Sequence, residues 1–171
     1  PGPGKYRLFK SGNAQRLRAG NQEGYSLFKL EKFAEAIASL ERTRTLATTA
    51  KSENWVTRLN YLLSECHASN KSLDKAEVSL QAALAKLRGS SAIDAQYRLG
   101  TIKFSQSKWI EAQADFENFL RENKKTEKDD PRIREARFFV ARCLMEQKET
   151  SKADKKLGDL GNGSDEVAGR A

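Results

Sequence analysis

The sequence predicts an all-α fold, a solenoid of about four helical hairpins. One eight-residue pattern occurs four times, with a bulky residue three positions before a central alanine and another four positions after it; Thr150 replaces the first bulky residue of the last copy. Offsets of three and four share one helix face, so each copy predicts the buried stripe of an amphipathic helix. Spacings of 40, 36 and 41 residues are typical of stacked hairpins. The central alanines are Ala36, Ala76, Ala112 and Ala153.

The composition favours the same class. Three prolines and few β-branched residues in a chain of 171 argue against a β fold. No apolar run reaches the roughly 18 residues of a transmembrane segment, so we expect none. Cys66 and Cys143 are too few and too far apart for a disulfide framework, and we expect both to be reduced and buried.

The turn residues delimit the predicted helices. The N-terminal helical stretch is expected to break at Gly12-Asn13, and Ser52 is a plausible N-cap for the third helix. Gly89 is expected to close the fourth helix as a C′ glycine, and Pro131 to begin the seventh after a polar loop over 123–130. After the N-terminal stretch, the predicted helices span about residues 33–48, 52–69, 73–88, 91–105, 109–123, 131–147 and 150–160.

The positive charge lies mainly near the N-terminus. Of the net charge of +8, residues 1–60 contribute +6, from 11 basic and 5 acidic residues. Composition and helix pattern together predict three parts. These are a flexible basic N-terminal arm (1–12), a helical repeat domain (13–160) and a disordered tail (161–171).

The repeats resemble those of the tetratricopeptide repeat (TPR) family over about residues 17–160. With the four central alanines at position 20 of the family's 34-residue repeat, position 8 is small in every copy, as the family requires. The resemblance implies a right-handed α-solenoid of about four TPR-like hairpins. The repeats are more than 34 residues apart and lack the proline at the repeat end, and in these features they resemble the repeats of long-repeat bacterial scaffolds. The residues at position 8 are Gly24, Ser64, Gly100 and Ala141.

The resemblance also implies a concave groove, lined by repeat positions 2, 5, 9 and 12 in the first helix of each hairpin. Aromatic side chains at these positions suit a partner helix or an extended peptide, because they offer large contact area. The alternative is that these aromatics belong to the core. The candidate groove residues are Tyr25, Phe28, Arg58, Tyr61, Glu65, Tyr97, Thr101, Phe104, Phe138 and Arg142; the remaining positions hold Arg18, Asn21, Ala68, Asp94, Glu135 and Met145.

The sequence therefore predicts a non-enzymatic scaffold or adaptor that binds a protein or peptide segment in this groove. An alternative is that the basic N-terminal arm, with Lys5 to Arg18 around Tyr6 and Phe9, binds nucleic acid or an anionic surface. Self-association through the arm or an end repeat is a third hypothesis. The compartment stays open between cytoplasm and bacterial periplasm or envelope.

No arrangement of residues suggests catalysis. His67 is the single histidine, and its neighbour Cys66 points about 100° away around the helix, too far to be activated. One histidine and two separated cysteines cannot form a familiar zinc site. We therefore expect neither catalytic residues nor a metal or cofactor.

Overall fold

The computed structural model describes residues 3–123 and 130–168, with side chains over 12–123, 130–149 and 151–160. These residues form eight α-helices joined by turns, without a strand, which confirms the predicted all-α class. None of the helices in this part of the chain has both the length and the apolar character to cross a membrane. In chain order they are α1 (Pro3–Lys29), α2 (Phe33–Thr49), α3 (Glu53–Ser69), α4 (Leu73–Leu84), α5 (Gly89–Ser105), α6 (Trp109–Asn123), α7 (Pro131–Glu146) and α8 (Thr150–Ala168).

The chain divides into two compact units, Pro1–Leu87 with α1 to α4 and Arg88–Ala171 with α5 to α8. Within each unit every helix packs on the next, as expected for antiparallel neighbours joined by short turns. The first helices of successive hairpins also touch, α1 on α3 and α5 on α7. Each unit therefore consists of two hairpins packed side by side.

The predicted alanines lie at the centres of the helix crossings. Ala36, Ala76, Ala112 and Ala153 are all completely buried, which confirms the pattern. The small residues at position 8 are buried as well. At one of them, Gly100, a Cβ would lie 2.9 Å from Cε1 of the Phe116 ring. The crossing therefore needs a residue without a side chain at this point.

Five of the turns share one backbone conformation. In the turn after α3, Lys71 has φ 62° and the Ser72 N–H donates to the His67 carbonyl at 2.8 Å. This is a Schellman motif, which usually places glycine at the left-handed position. Here the left-handed residues are Glu31, Lys51, Lys71, Ser107 and Lys148.

Three local predictions were wrong. Helix α1 runs through Gly12 without a break, because a single glycine inside a helix costs only about 1 kcal/mol. Helix α4 ends at Leu84, since Arg88 is extended and Gly89, with φ +61°, stands at the start of α5 instead of closing α4. Helix α8 continues to Ala168, because extending an existing helix costs far less than nucleating one.

The two chain ends bear on the predicted arm and tail. Residues 3–12 and 161–168 are helical in the structure, where the sequence predicted a flexible arm and a disordered tail. Residues 1–2 and 169–171, like most of the predicted polar loop (124–129), lie outside the described residues. The division into arm, repeat domain and tail stays a prediction.

Candidate functional site

The first helix of each hairpin presents an accessible row of side chains. We call this row the odd-helix face of a unit; it lies on α1 and α3 in the first unit and on α5 and α7 in the second. Every side chain at repeat positions 2, 5, 9 and 12 is at least partly exposed, whereas position 8 on the same helices is buried. The helix rotation expected from the repeat pattern is therefore the one found. The residues of the odd-helix face are Arg18, Asn21, Tyr25, Phe28, Arg58, Tyr61, Glu65 and Ala68 in the first unit, and Asp94, Tyr97, Thr101, Phe104, Glu135, Phe138, Arg142 and Met145 in the second.

Two cation–π pairs support the odd-helix face of the first unit. Tyr25 on α1 is 43% exposed, and the Lys29 ammonium lies 5.4 Å from its ring centroid. Arg58 on α3 is exposed, with its guanidinium 5.5 Å from the Trp55 ring. Such pairs restrict long flexible side chains, which reduces the entropy that binding must remove.

The other three candidates of the first unit are half-buried. Phe28 packs on the apolar cluster of the unit, with its ring centroid 5.8 Å from that of Phe33. Tyr61 and Glu65 lie one turn apart on α3 and each leaves part of its side chain accessible. A partner on this face would meet a mixed surface of rings and charges.

In the second unit two candidate aromatics take part in packing between helices. Phe104 on α5 has its ring centroid 4.9 Å from that of Phe139 on α7. Tyr97 packs against Phe119 at 5.0 Å. Burial and a hydrogen bond with Glu135 raise the pKa of Tyr97 above its usual value. Both rings therefore hold the unit together, and only their outer parts are accessible.

The remaining candidates of the second unit are more open. Phe138 is 46% exposed. Arg142 is exposed and lies 3.9 Å from Glu146, one turn along α7. The half-buried Thr101 donates its hydroxyl to the Arg98 carbonyl at 2.7 Å, which fixes its rotamer. Phe138 and Arg142 are thus the candidates on α7 that a partner could reach directly.

The residue that holds α7 against α5 was not predicted from the sequence. Arg132 contacts Asp94 at 2.6 Å, and its guanidinium lies 5.7 Å from the Tyr97 ring and 5.4 Å from the Phe119 ring. Asp130 caps α7 by accepting from the Arg132 N–H at 2.9 Å, and these contacts lower its pKa to about 2. An Asp-Pro pair at the start of a helix is a signal that could have revealed the cap.

The buried ionisable groups are arranged for structure. Burial raises the pKa of both Cys66 and Cys143 to about 11, so neither is a thiolate near neutral pH. Burial lowers the pKa of His67 and raises that of Asp115, which lies 2.9 Å from the ammonium of Lys103. In the described part of the chain, no three His, Cys, Asp or Glu side chains are grouped to hold a metal ion.

The family model of the tetratricopeptide repeat matches residues 21–92 and 97–156. The chain belongs to the tetratricopeptide repeat family. A TPR fold suggests a scaffold for protein–protein interaction, and TPR proteins are generally non-enzymatic. No curated protein matches the sequence.

Solved TPR structures resemble the chain in fold. A kinesin light chain of Podosopora anserina with nearly identical TPR-like repeats is 19% identical, with a TM-score of 0.71, over 85% of this chain and 73% of that one. MamA is 18% identical, with a TM-score of 0.70, over 95% and 86%. YrrB, described as a TPR protein with an unusual peptide-binding site, is 17% identical, with a TM-score of 0.63, over 84% and 66%.

Proposed function

We propose that this TPR protein is a non-enzymatic adaptor that binds a peptide segment of a partner protein on the odd-helix face. The accessibility of this face in each unit carries the proposal: its rings and charges are at least partly exposed, while the small residues at position 8 of the same helices are buried. Aromatic side chains with fixed positions give large contact area at low entropic cost. The peptide-binding site of YrrB supports the proposal, since that protein has the same fold.

The charges of the face give the bound segment a direction. In the first unit Arg18 and Arg58 are exposed at position 2, near the start of α1 and α3 as the repeats define them. Glu65 lies two turns further along α3. A segment with an acidic residue toward Arg58 and a basic residue toward Glu65 would be favoured over its reverse.

The packing of Tyr97 makes this residue unsuitable as a target for mutagenesis of the face. Its ring packs against both Phe116, at 5.8 Å, and Phe119, so truncation would disturb the core as well as the face. Tyr25 and Arg58 are exposed and can be truncated with little loss of packing. Val78 on α4 is 67% exposed and lies outside the face, which makes it a matched control.

The test selects ligands from a displayed library of random peptides and measures their affinity by fluorescence polarisation. Tyr25→Ala and Arg58→Ala should each weaken binding by about 1–3 kcal/mol, because anchors of an interface carry most of its energy. Val78→Ala should leave the affinity unchanged. Peptides that bind both face variants as tightly as the parent protein would rule out the proposal, as would a selection that yields no ligand.

A further inference from the structure

Helix α7 occupies a defined surface on the hairpin before it. Its Phe139 ring stacks on Phe116, with centroids 4.8 Å apart and planes 9° apart, and also packs on Phe104. Seven residues earlier, Arg132 lies over Tyr97 and contacts Asp94. Seven residues are about two helical turns, so the arginine and the aromatic ring leave α7 on the same side.

The last hairpin carries the same surface again. A shift of 41 residues, which relates Ala112 to Ala153, matches each residue beneath α7 to one on α7 or α8. The matched residues are of the same chemical type: the residue that matches Asp94 is again acidic, and the residues that match the aromatic rings are again large and apolar. The matches are Asp94 with Glu135, Tyr97 with Phe138, Phe104 with Met145, Phe116 with Leu157 and Phe119 with Leu160.

On the last hairpin this surface is open. Phe138 is 46% and Met145 47% exposed, although the residues they match on α5 are half-buried beneath α7. A surface pocket of about 410 Å³ lies beside Phe138 and Leu160. Pro131, Arg134 and Glu135 complete its lining. We call Glu135, Phe138, Met145, Leu157 and Leu160, together with this pocket, the end face; no helix of the described residues covers it.

We propose that the end face binds an amphipathic helix of a partner protein that carries a basic residue and, seven residues later, an aromatic residue. The basic residue lies against Glu135, as Arg132 lies against Asp94 one repeat earlier. The aromatic residue packs on Met145 and Leu157, as Phe139 packs on Phe104 and Phe116. This is a second binding surface that goes beyond the odd-helix face, with Glu135, Phe138 and Met145 belonging to both.

Helix α7 itself supplies the probe, because it carries the arginine and the aromatic ring at the required spacing. The peptide contains residues 130–147 with Cys143→Ala, and Arg142→Lys joined to Glu146 by a lactam bridge. These two residues are already paired on the exposed side of α7. Circular dichroism establishes that the peptide is helical before its affinity for the whole chain is measured by fluorescence polarisation.

The helical peptide should bind at concentrations below about 100 µM. Phe139→Ala in the peptide and Leu160→Glu in the protein should each weaken binding at least about tenfold. Ile110→Glu, at a site 72% exposed on α6, is the control and should leave the affinity unchanged. The peptide change Arg132→Glu should weaken binding, and the protein change Glu135→Lys should restore it, a rescue that general loss of folding cannot produce.

A peptide that is helical yet does not bind, or that binds Leu160→Glu as tightly as the parent, overturns the proposal. Sedimentation velocity tests a second copy as the occupant: a dimer of the parent protein that Phe138→Glu dissociates would replace the partner helix with self-association. Tyr25→Ala and Arg58→Ala should bind the helical peptide normally. These variants therefore distinguish a failure of the proposed binding at the odd-helix face from a failure of the proposed binding at the end face.

Discussion

At the scale of single residues, close packing at two helix crossings depends on glycines, which have no side chain. Gly100 faces the fully buried ring of Phe116, and Gly24 faces Leu40 in the corresponding place of the first unit. In both pairs the large residue lies four positions after the central alanine. The small residue and the large one are thus two halves of one contact, which explains why the repeat pattern contains both.

Gly100→Ala tests this contact. Alanine would improve the helix propensity of α5 by about 1 kcal/mol, but its methyl group would overlap the Phe116 ring at a cost of about 1–3 kcal/mol. Gly158→Ala on α8 is the matched control, because no atom lies within 4 Å of its added methyl group. In urea unfolding, the Gly158→Ala variant should be more stable than the parent protein, and the Gly100→Ala variant should be less stable than the Gly158→Ala variant. Equal gains in both variants would contradict the contact.

The buried His67 predicts a dependence of stability on pH. Its side chain is 5% exposed, and its Nδ1 has no hydrogen-bond partner among the described residues. Burial lowers its pKa below 6.5, and Lys75 and Arg44 nearby act in the same direction while Glu41 opposes them. The unfolded chain therefore binds a proton more readily, so the free energy of unfolding should fall as the pH falls below about 6.5.

The measurement compares urea unfolding of the parent and of His67→Leu at about pH 7.5 and about pH 5. The parent should lose more stability on acidification than the variant, which has no group to protonate at this site. Other groups, such as Asp115 with its raised pKa, contribute equally to both proteins. Identical losses in the two proteins would show that His67 does not control the response.

At the scale of elements, the turns determine where the helices end. Five Schellman motifs place a residue with a side chain in the left-handed region, where glycine has the lower energy. The backbone hydrogen bonds of these turns therefore outweigh the conformational energy that a positive φ costs a residue with a side chain. Replacing one of these residues by glycine should relieve the strain.

Lys71→Gly is the appropriate variant, because Lys71 is exposed in the turn between α3 and α4 at φ 62°. We expect a gain of up to about 1 kcal/mol in the free energy of unfolding, since the relieved strain exceeds the entropy lost by glycine. Lys75→Gly makes the same exchange at an exposed position inside α4 and should cost about 1 kcal/mol. A shift of the same sign in both variants, measured by thermal unfolding, would refute the explanation.

The sequence was sufficient to predict the elements because their signals are local. The alanine pattern gave the second helix of each hairpin, and the turn residues gave most boundaries. Contacts between hairpins have no such local signal: nothing around Phe104 indicates that Phe139 will pack beside it, and nothing around Tyr97 indicates that Arg132 will lie over its ring. The accessible positions of the candidate site could therefore be predicted from the sequence. How much of each aromatic ring is buried against other helices could not. Binding at those positions stays a prediction.

At the scale of the whole molecule, the two units differ in net charge, and each has an apolar cluster of its own. Residues 1–87 carry 14 basic and 8 acidic residues, a net charge of +6, and residues 88–171 carry 17 and 15, a net charge of +2. Each unit also has its own apolar cluster, around Leu40 and Leu63 in the first and around Phe116 and Val140 in the second. A partner attracted by positive charge would therefore approach the first unit preferentially.

The link between the units is a turn at Ala85 and Lys86, followed by Leu87, the extended Arg88 and Gly89 in the left-handed conformation. Each apolar cluster is built from residues of one unit and neither uses a residue of this link, so a gene cut there would divide neither cluster. The same junction is a natural site for recombination, where one half could be exchanged or duplicated while the other is inherited intact.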